Sequence, residues 1–502
     1  MIQLNNKIVL VSFYNPKSLG LRYIENALTQ NGYAVTVVFF KTFNSVNPKR
    51  ASRQELDAFS SLIKKENPIA IGLSVMASVY LTTVQLLNQE LRNSFDIPIV
   101  WGGVHPTMFP KECMEYADFV VQGEGEEAWI ELADTIQNKK NNHADIKNLT
   151  FRRGDEIISN DLRPLLTDLD LFGVPTIGGN NKYLIEDDAI SQGDPQLKAF
   201  SYELSASRGC PFTCTYCCSI NLNRIHSRKG RYVRFREVDR VMEELLNAKA
   251  KMKNLKVIHF WDEIFCDNED WIDVFVKRYK KEINLPFEIW GHPLKTNDAL
   301  ISKLQKAGLY KVVMGIQSGS SYIRRDIFNR PEKQEDIIRA SQTLSNHKVP
   351  QVIYDFMLRH PFETHQTIKE TYDLCMSLAM PFELQLHGLN FLPGTDIVQK
   401  AIDMKLVSPE DMDKLMNAPL EEQYNMHWKT ENNDPVLNYW YKLIYLTQFS
   451  ALRQKTVRLA KDPQSAKNIA EVDRLCKIGR LLAKARYFYQ KGTIVMRGTI
   501  RI

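Results

Sequence analysis

Cysteine is scarce in this chain, with eight in 502 residues. So few thiols exclude a disulfide-stapled secreted scaffold, and their clustering, described below, requires them reduced; a cytoplasmic location is predicted. The start, Met1-Ile2-Gln3-Leu4-Asn5-Asn6-Lys7, lacks the basic segment and long apolar stretch of a signal peptide. No apolar run reaches the ~18 residues of a membrane-spanning helix. Internal repeats and low-complexity tracts are absent. Charge of one sign is not in great excess either: 65 Lys and Arg against 59 Asp and Glu leave a net +6. A hydrophobic fraction of 44% and a charged fraction of 25% describe an ordinary globular protein. The length suggests about two to four domains.

The charge is unevenly spread. Residues 441–502 carry fourteen Lys and Arg against three Asp and Glu. Trp440, Tyr441, Tyr445, Phe449, Tyr487, Phe488 and Tyr489 are interleaved with them. Such a tail suits an anionic substrate or surface, a membrane surface included; the plainer reading is a solvated face of an amphipathic helix.

What is present first is strand–helix alternation. Strands are predicted at Lys7–Phe13, Tyr33–Phe40, Ile69–Ser74, Ile97–Trp101 and Phe119–Val121, with helices such as Leu21–Asn31, Ser78–Asn93 and Glu124–Asn138 between them. That pattern predicts an α/β, flavodoxin-like doubly wound sheet over residues 1–140, its ligand crevice at the carboxyl ends of strands one and three. A hairpin, Leu149–Arg153 and Glu156–Ser159 about Gly154-Asp155, opens a segment 141–199 whose irregular remainder, 161–199, reads as a linker or a cover between domains, on Pro164, Pro175, Gly178-Gly179 and Gly193-Asp194-Pro195. A second series, Phe200–Ser207, Lys256–Trp261, Phe287–Gly291, Lys311–Ile316, Val352–Met357 and Leu384–Phe391, predicts a partial (β/α)6 barrel over 200–395. Its site is expected at the carboxyl ends of the strands. Residues 396–502 read as a mainly helical, basic C-terminal region.

The loop after the first barrel strand is Ser207-Arg208-Gly209-Cys210-Pro211-Phe212-Thr213-Cys214-Thr215-Tyr216-Cys217, a Cys-x3-Cys-x2-Cys run. Three thiolates so close suit three irons of a cubane cluster. The usual four-cysteine and zinc spacings differ, and no fourth cysteine stands at a regular offset. One iron would then keep an open site. Buried or zinc-binding cysteines are the competing reading. Cys218 is adjacent to the triad and reads as packing.

This loop resembles the radical S-adenosylmethionine (SAM) superfamily, in particular its members with a cobalamin-binding domain. The resemblance implies a four-iron, four-sulfur cluster held by Cys210, Cys214 and Cys217, with SAM chelating the open iron. It implies an adenosyl radical that abstracts hydrogen from an unactivated carbon, and an external one-electron reductant such as flavodoxin or ferredoxin. Phe260-Trp261-Asp262-Glu263 matches the position where the family holds SAM's amino group; a helix-cap carboxylate is the alternative. Gly315-Ile316-Gln317-Ser318-Gly319 matches a ribose-contacting segment, with Gln317 where an acid is usual. Tyr216 would pack against adenine, and Leu392-Pro393-Gly394-Thr395 matches the turn after the sixth strand, placing Pro393 at SAM. The fifth-strand turn departs from the family's glycine-rich pattern: it is Leu358-Arg359-His360-Pro361-Phe362-Glu363.

Gly102-Gly103-Val104-His105-Pro106-Thr107 and Gly123-Glu124-Gly125-Glu126 follow the fourth and fifth strands and resemble cobalamin-binding domains fused to such barrels. Asn15, Ser74 and Met76 would line the same crevice. None of the ten histidines has Asp two residues before it, so the Asp-x-His ligand of many cobalamin domains is missing and His105 reads as a packing or corrin contact.

The resemblance implies C-methylation of a metabolite, natural-product precursor or peptidic substrate, from two molecules of SAM. A cyclisation, rearrangement or oxidation on the same fold is the alternative. Methylthio transfer is disfavoured, because residues 1–209 contain only Cys113. A non-catalytic corrinoid or iron–sulfur sensor would not need the strand-end SAM contacts. No dedicated nucleic-acid-binding module is visible.

Overall fold

The structure is a computed structural model, and it describes residues 5–43, 49–265, 268–423, 434–463 and 465–499. The first four residues of the chain start, and residues 424–433 and 500–502 of the helical C-terminal reading, lie outside the described residues. The chain forms two compact units: Met1–Ala199 with Asn221–Asn254 and Asp413–Tyr424, and Phe200–Ile220 with Leu255–Met412 and Asn425–Ile502.

The first unit is built on β1 (Lys7–Phe13), β2 (Ala34–Phe40), β3 (Ala70–Ser74), β4 (Ile99–Gly102) and β5 (Phe119–Val121). These five lie parallel in the order β5-β4-β3-β1-β2. Period-two geometry makes β1 bury both faces: Val9, Val11 and Phe13 join one core, Ile8 and Leu10 the other. Helices α1 (Leu19–Gln30), α2 (Arg53–Glu66), α3 (Leu81–Ser94) and α4 (Glu126–Gln137) cover those faces. Ser52 and Glu55 form a reciprocal capping box on α2, and Glu55 also receives buried Lys41 at 2.6 Å.

The segment 141–199 is more than the predicted hairpin and linker. The hairpin β6 (Leu149–Arg153) and β7 (Glu156–Ser159) extends one edge of the sheet through β5. A second hairpin, β8 (Lys182–Glu186) and β9 (Ala189–Gln192), extends the other, with β8 parallel to β2. The turn of this hairpin is Asp187-Asp188, both at positive φ (50° and 61°), without the glycine that usually marks such a turn. Asp194, close behind, receives Arg22 at 2.8 Å, fully buried.

In the second unit β10 (Ser201–Leu204), β11 (Val257–Phe260), β12 (Phe287–Gly291), β13 (Leu309–Gln317), β14 (Gln351–Leu358) and β15 (Glu383–Gly388) form a parallel sheet in chain order. This is the expected partial barrel. The second compact unit is not continuous in sequence over residues 200–395, however. Helix α5 (Cys218–Ile225) leads out of the second unit, and α6 (Val238–Lys251) belongs to the first. There Arg236 pairs with Asp170 at 2.7 Å and Glu244 at 2.6 Å, and Lys251 donates to the Ile177 carbonyl. Around the sheet lie α7 (Glu269–Arg278), α8 (Asp298–Ala307), α9 (Gln334–Asn346) and α10 (His365–Ser377).

The C-terminal region is helical, with α11 (Pro435–Leu446), α12 (Ser450–Leu459) and α13 (Ala466–Thr499), although Asp413–Tyr424 groups with the first unit, where Leu420 enters the core. Its aromatics divide. Trp440 and Tyr441 are buried, Trp440 against Tyr372 of α10, whereas Tyr487, Phe488 and Tyr489 are exposed. Among the described residues no helix is long and apolar enough to cross a membrane.

Candidate active site

The cysteine loop leaves the carboxyl end of β10. Cys214 is buried, Cys210 and Cys217 are half-buried, and all three are free thiols. Loops after other strands hold the loop in place. Thr215 donates its amide to Phe328 O at 3.1 Å and its hydroxyl to Ile327 O at 2.7 Å. Asn329 Nδ2 donates to Thr213 O at 2.9 Å. Past the sixth strand, the amide of Ile397 donates to Thr215 O at 3.0 Å. The Pro393-Gly394-Thr395 turn is therefore braced against the cysteines.

Burial pushes the Cys210 thiol up to about 12, with Cys214, Cys217 and Glu263 adding to the shift. Cys214 is raised by burial, against the pull of Arg330. Cys217 is raised by its hydrogen bond with Cys218, then by burial, and Cys218 is lowered by that same bond. Neutral, desolvated thiols that would disfavour each other as anions suit a cationic metal group, which deprotonates its ligands outright. Among the described residues no three such side chains converge on a single ion. A cubane does not ask for that, because each cysteine takes its own iron. The donor set fits a cluster.

Sequence reasoning missed the cation beside the loop. Arg330 is 5% exposed. It donates to the Tyr216 hydroxyl at 2.8 Å and the Gly315 carbonyl at 2.8 Å, lies 4.0 Å from Cys214 Sγ, and pairs with Glu332 at 2.5 Å. Glu332 stands 3.4 Å from His292 Nε2, and His292 stacks on Phe212 of the cysteine loop at 3.8 Å. Burial would raise Glu332, but His292 and Arg330 hold it below the usual carboxylate range. No linear pattern links these residues, since they come from three loops. The only cue is that an arginine and a glutamate two apart follow the fourth strand.

At the end of β11, Asp262 and Glu263 part company. Asp262 is 1% exposed and accepts from the Ala206 amide at 3.1 Å and from the Ser207 hydroxyl. Burial raises its pKa to about 7. Its oxygens tie β11 to the chain after β10. Glu263 is exposed, close enough for its charge to act on Cys210 and Cys217. At the end of β13, Gln317 sits at φ 71° after a bulge, 8% exposed, and its Oε1 is buried without a hydrogen-bond partner. An orphaned buried carbonyl is costly, and it suits a ligand that brings a hydroxyl or amine. Ser318 turns away, with Oγ accepting from the Ser320 amide at 3.1 Å. Tyr216 packs edge-on against Phe328 at 5.1 Å.

In the first unit the carboxyl ends of β1, β3, β4 and β5 form a ledge. Met76 is 48% exposed there, and Asn15, Ser74, Gly102, Val104, His105 and Gly123 are half-buried. Gly103 has φ 110°, and a Cβ on it would lie 2.8 Å from Val75 O, so only glycine fits and the backbone stays bare. His105 Nδ1 bonds Ser78 Oγ at 2.9 Å, and burial lowers its pKa to about 4, leaving a neutral ring. Gly123 faces His226, whose Nε2 would be 2.6 Å from an added Cβ. Glu124 instead receives Arg234 through both oxygens, at 2.8 and 3.0 Å, and the Leu166 amide at 2.9 Å. Gly125 packs on Val121 and Ile24, and Glu126 is buried. A glycine-lined ledge with an exposed apolar residue fits a broad, flat group such as a corrin.

Known proteins bear on both units. Residues 6–133 match the model of the B12 binding domain, and residues 204–375 match that of the Radical SAM superfamily. An uncharacterised methyltransferase of Pyrococcus horikoshii is 25% identical over 354 residues, 69% of this chain and 72% of its own. An anaerobic magnesium-protoporphyrin IX monomethyl ester cyclase of Cereibacter sphaeroides is 26% identical over 292 residues, 54% of this chain and 43% of its own. The radical SAM methyltransferase TsrM from Kitasatospora setae, solved with tryptophan and a SAM analogue, shares the fold at TM-score 0.63 and 17% identity, over 79% of this chain and 76% of its own. The cobalamin-dependent radical SAM enzyme OxsB does so at TM-score 0.64 and 14% identity, over 94% of this chain and 75% of its own. With the cysteine loop at the mouth of its barrel and a bare ledge on its first sheet, the chain belongs to the radical SAM superfamily and carries a B12-binding domain.

Proposed function

We propose that this protein is a cobalamin-dependent radical SAM methyltransferase acting on an unactivated carbon. The observation that carries the reading is the free Cys210–Cys214–Cys217 loop at the barrel mouth, in one chain with a B12-binding domain. Bound there, the cluster and SAM supply a radical that removes a hydrogen atom, and cobalamin supplies the methyl group. The chain's residues bind and orient. Cys210, Cys214 and Cys217 would each hold one iron. Glu263 would accept from SAM's ammonium, with Asp262 fixing the strand end beneath it. The unpartnered Gln317 oxygen would accept from a SAM hydroxyl, and Tyr216 and Pro393 would flank the adenine. Asn15, Ser74, Met76, Gly102, Gly103, Val104, His105 and Gly123 would face the corrin, while Glu124, Gly125 and Glu126 would shape the ledge from behind. Arg330 would keep a positive charge beside Cys214, offsetting the negative charge of a thiolate-ligated cluster. The electron would come from an external one-electron donor of the flavodoxin or ferredoxin kind.

The likeness to a cyclase favours a second reading, ring formation without methyl transfer. One experiment separates the two. Reduced, reconstituted enzyme is given SAM labelled in its methyl group. Label on cobalamin, with S-adenosylhomocysteine released alongside 5′-deoxyadenosine, is expected for the methyltransferase. Deoxyadenosine without any label on cobalamin selects the cyclase-type reaction.

A further inference from the structure

A cavity of about 820 Å³ opens beside the ends of β14 and β15, walled by α11 and α13. That is the size of a small-molecule site. Leu358 and Arg359 enter it from β14 and His387 from β15; Tyr441, Lys442 and Tyr445 enter from α11. On α13 the spacing of Asp473, Cys476, Lys477 and Arg480 is three, four and seven, which sets them on one helical face, and all four line the cavity.

The charges do not cancel. Lys442 is paired with Asp473 at 2.5 Å, and His387 bonds Asp355 at 3.0 Å. Among the described residues Arg359, Lys477 and Arg480 form no ion pair. Arg359 is also held at a cost. It has φ 58°, a left-handed conformation that a side chain disfavours. Glu363 enforces it: one oxygen, Oε2, accepts from the Arg359 amide and from the Tyr441 hydroxyl, each at 2.7 Å. The guanidinium then lies 5.2 Å from the Tyr441 ring centre. This is the turn where the sequence departs from a glycine-rich pattern, so the larger residue brings a cation into the cavity. Strain maintained by a buried clamp is a mark of a functional position. Rings connect this turn to the cysteine loop: His360 packs on Phe328 at 5.3 Å, and Phe328 on Tyr216 at 5.1 Å.

We infer that this cavity binds the substrate through an anionic group, a carboxylate or a phosphate, with Arg359, Lys477 and Arg480 as its cationic contacts. The inference rests on the enzymatic reading above. Tyr441 and Tyr445 offer ring faces to the uncharged body of the ligand, and the fork of Arg359 suits two-point contact with either anion.

The test is equilibrium binding to the full reconstituted chain, followed by calorimetry, with phenyl phosphate, phenylacetate and benzyl alcohol as probes. Saturable binding of one or both anions, and not of the neutral alcohol, is expected. Phenyl phosphate alone would identify a phosphate group, and phenylacetate alone a carboxylate. Arg359→Gln and Arg480→Gln should each weaken anion binding about tenfold or more, as loss of a charged hydrogen bond does. Lys477→Glu, on an exposed position, should weaken it without disturbing the fold, checked by circular dichroism. No anion binding, equal binding of the alcohol, or anion binding untouched by all three substitutions overturns the inference. Failure of the enzymatic reading shows differently: the unaltered chain would bind the anions yet form no 5′-deoxyadenosine from SAM.

Discussion

At the scale of single residues, the cysteines and Arg330 make opposite demands on an experiment. Cys210→Ala, Cys214→Ala and Cys217→Ala should each lose the four-iron cluster, read as iron content and visible absorption after anaerobic reconstitution. Cys218→Ala should retain it, because Cys218 opens α5 and touches the triad only through Cys217. Arg330→Gln is expected to act through stability first. It leaves Glu332 buried without its charged partner, which costs about 3–5 kcal/mol, read as a lowered urea midpoint of the apoprotein. The cysteines were legible in the sequence because three ligands fall within eight residues of chain. Arg330, Glu332 and His292 were not, because their proximity is made by two separate strand ends, those of β12 and β13. Asp262 and Glu263 were read as a pair, yet alternation at the end of β11 buries one and exposes the other.

At the scale of elements, one close approach matters for the site. Gly319, just past β13, has no room for a side chain: a Cβ there would lie 2.2 Å from Thr371 Cα and 2.6 Å from Glu370 O, both backbone of α10. Backbone cannot rotate away, so Gly319→Ala should cost more than about 3 kcal/mol, beyond ordinary overpacking. It should also shift Gln317 and reduce SAM affinity in equilibrium dialysis. Gly492→Ala in α13 is the contrast. Nothing lies within 4 Å of its Cβ, so the helix should gain about 0.5–1 kcal/mol. Strands and helices of both βα series were legible from period two and period 3.6. The β8–β9 hairpin was not, because Asp187-Asp188 takes a turn that glycine normally signals, and because β9 is exposed throughout and shows no apolar alternation.

At the scale of the whole molecule, buried carboxyls give the two units opposite responses to pH. In the second unit Asp262 and Glu363 are raised by burial to about 7 each, from 3.8 and 4.5. The folded state then binds more protons than the unfolded one, so stability is highest below about 4 and falls as pH rises through 7. In the first unit burial opposes ionisation of Asp194, but Arg22 and two backbone amides outweigh it and hold the carboxyl below 3.8. Its contribution is present above that value and is lost as pH falls below it. The contribution of Glu363 to the urea midpoint of the apoprotein, read as the difference between the unaltered chain and Glu363→Gln, should therefore shrink between pH 4 and pH 8; a difference that does not change with pH would assign the effect elsewhere. The sequence alone determined the two βα folds, the cysteine triad and the glycine-rich strand ends, because each is a local pattern that neighbouring residues spell out. Only the tertiary structure decided which carboxylate is buried, which arginine stands beside the cysteines, and that Arg359 shares a cavity with Lys477 and Arg480. Those facts depend on side chains distant in sequence meeting at the ends of parallel strands, which no local periodicity encodes.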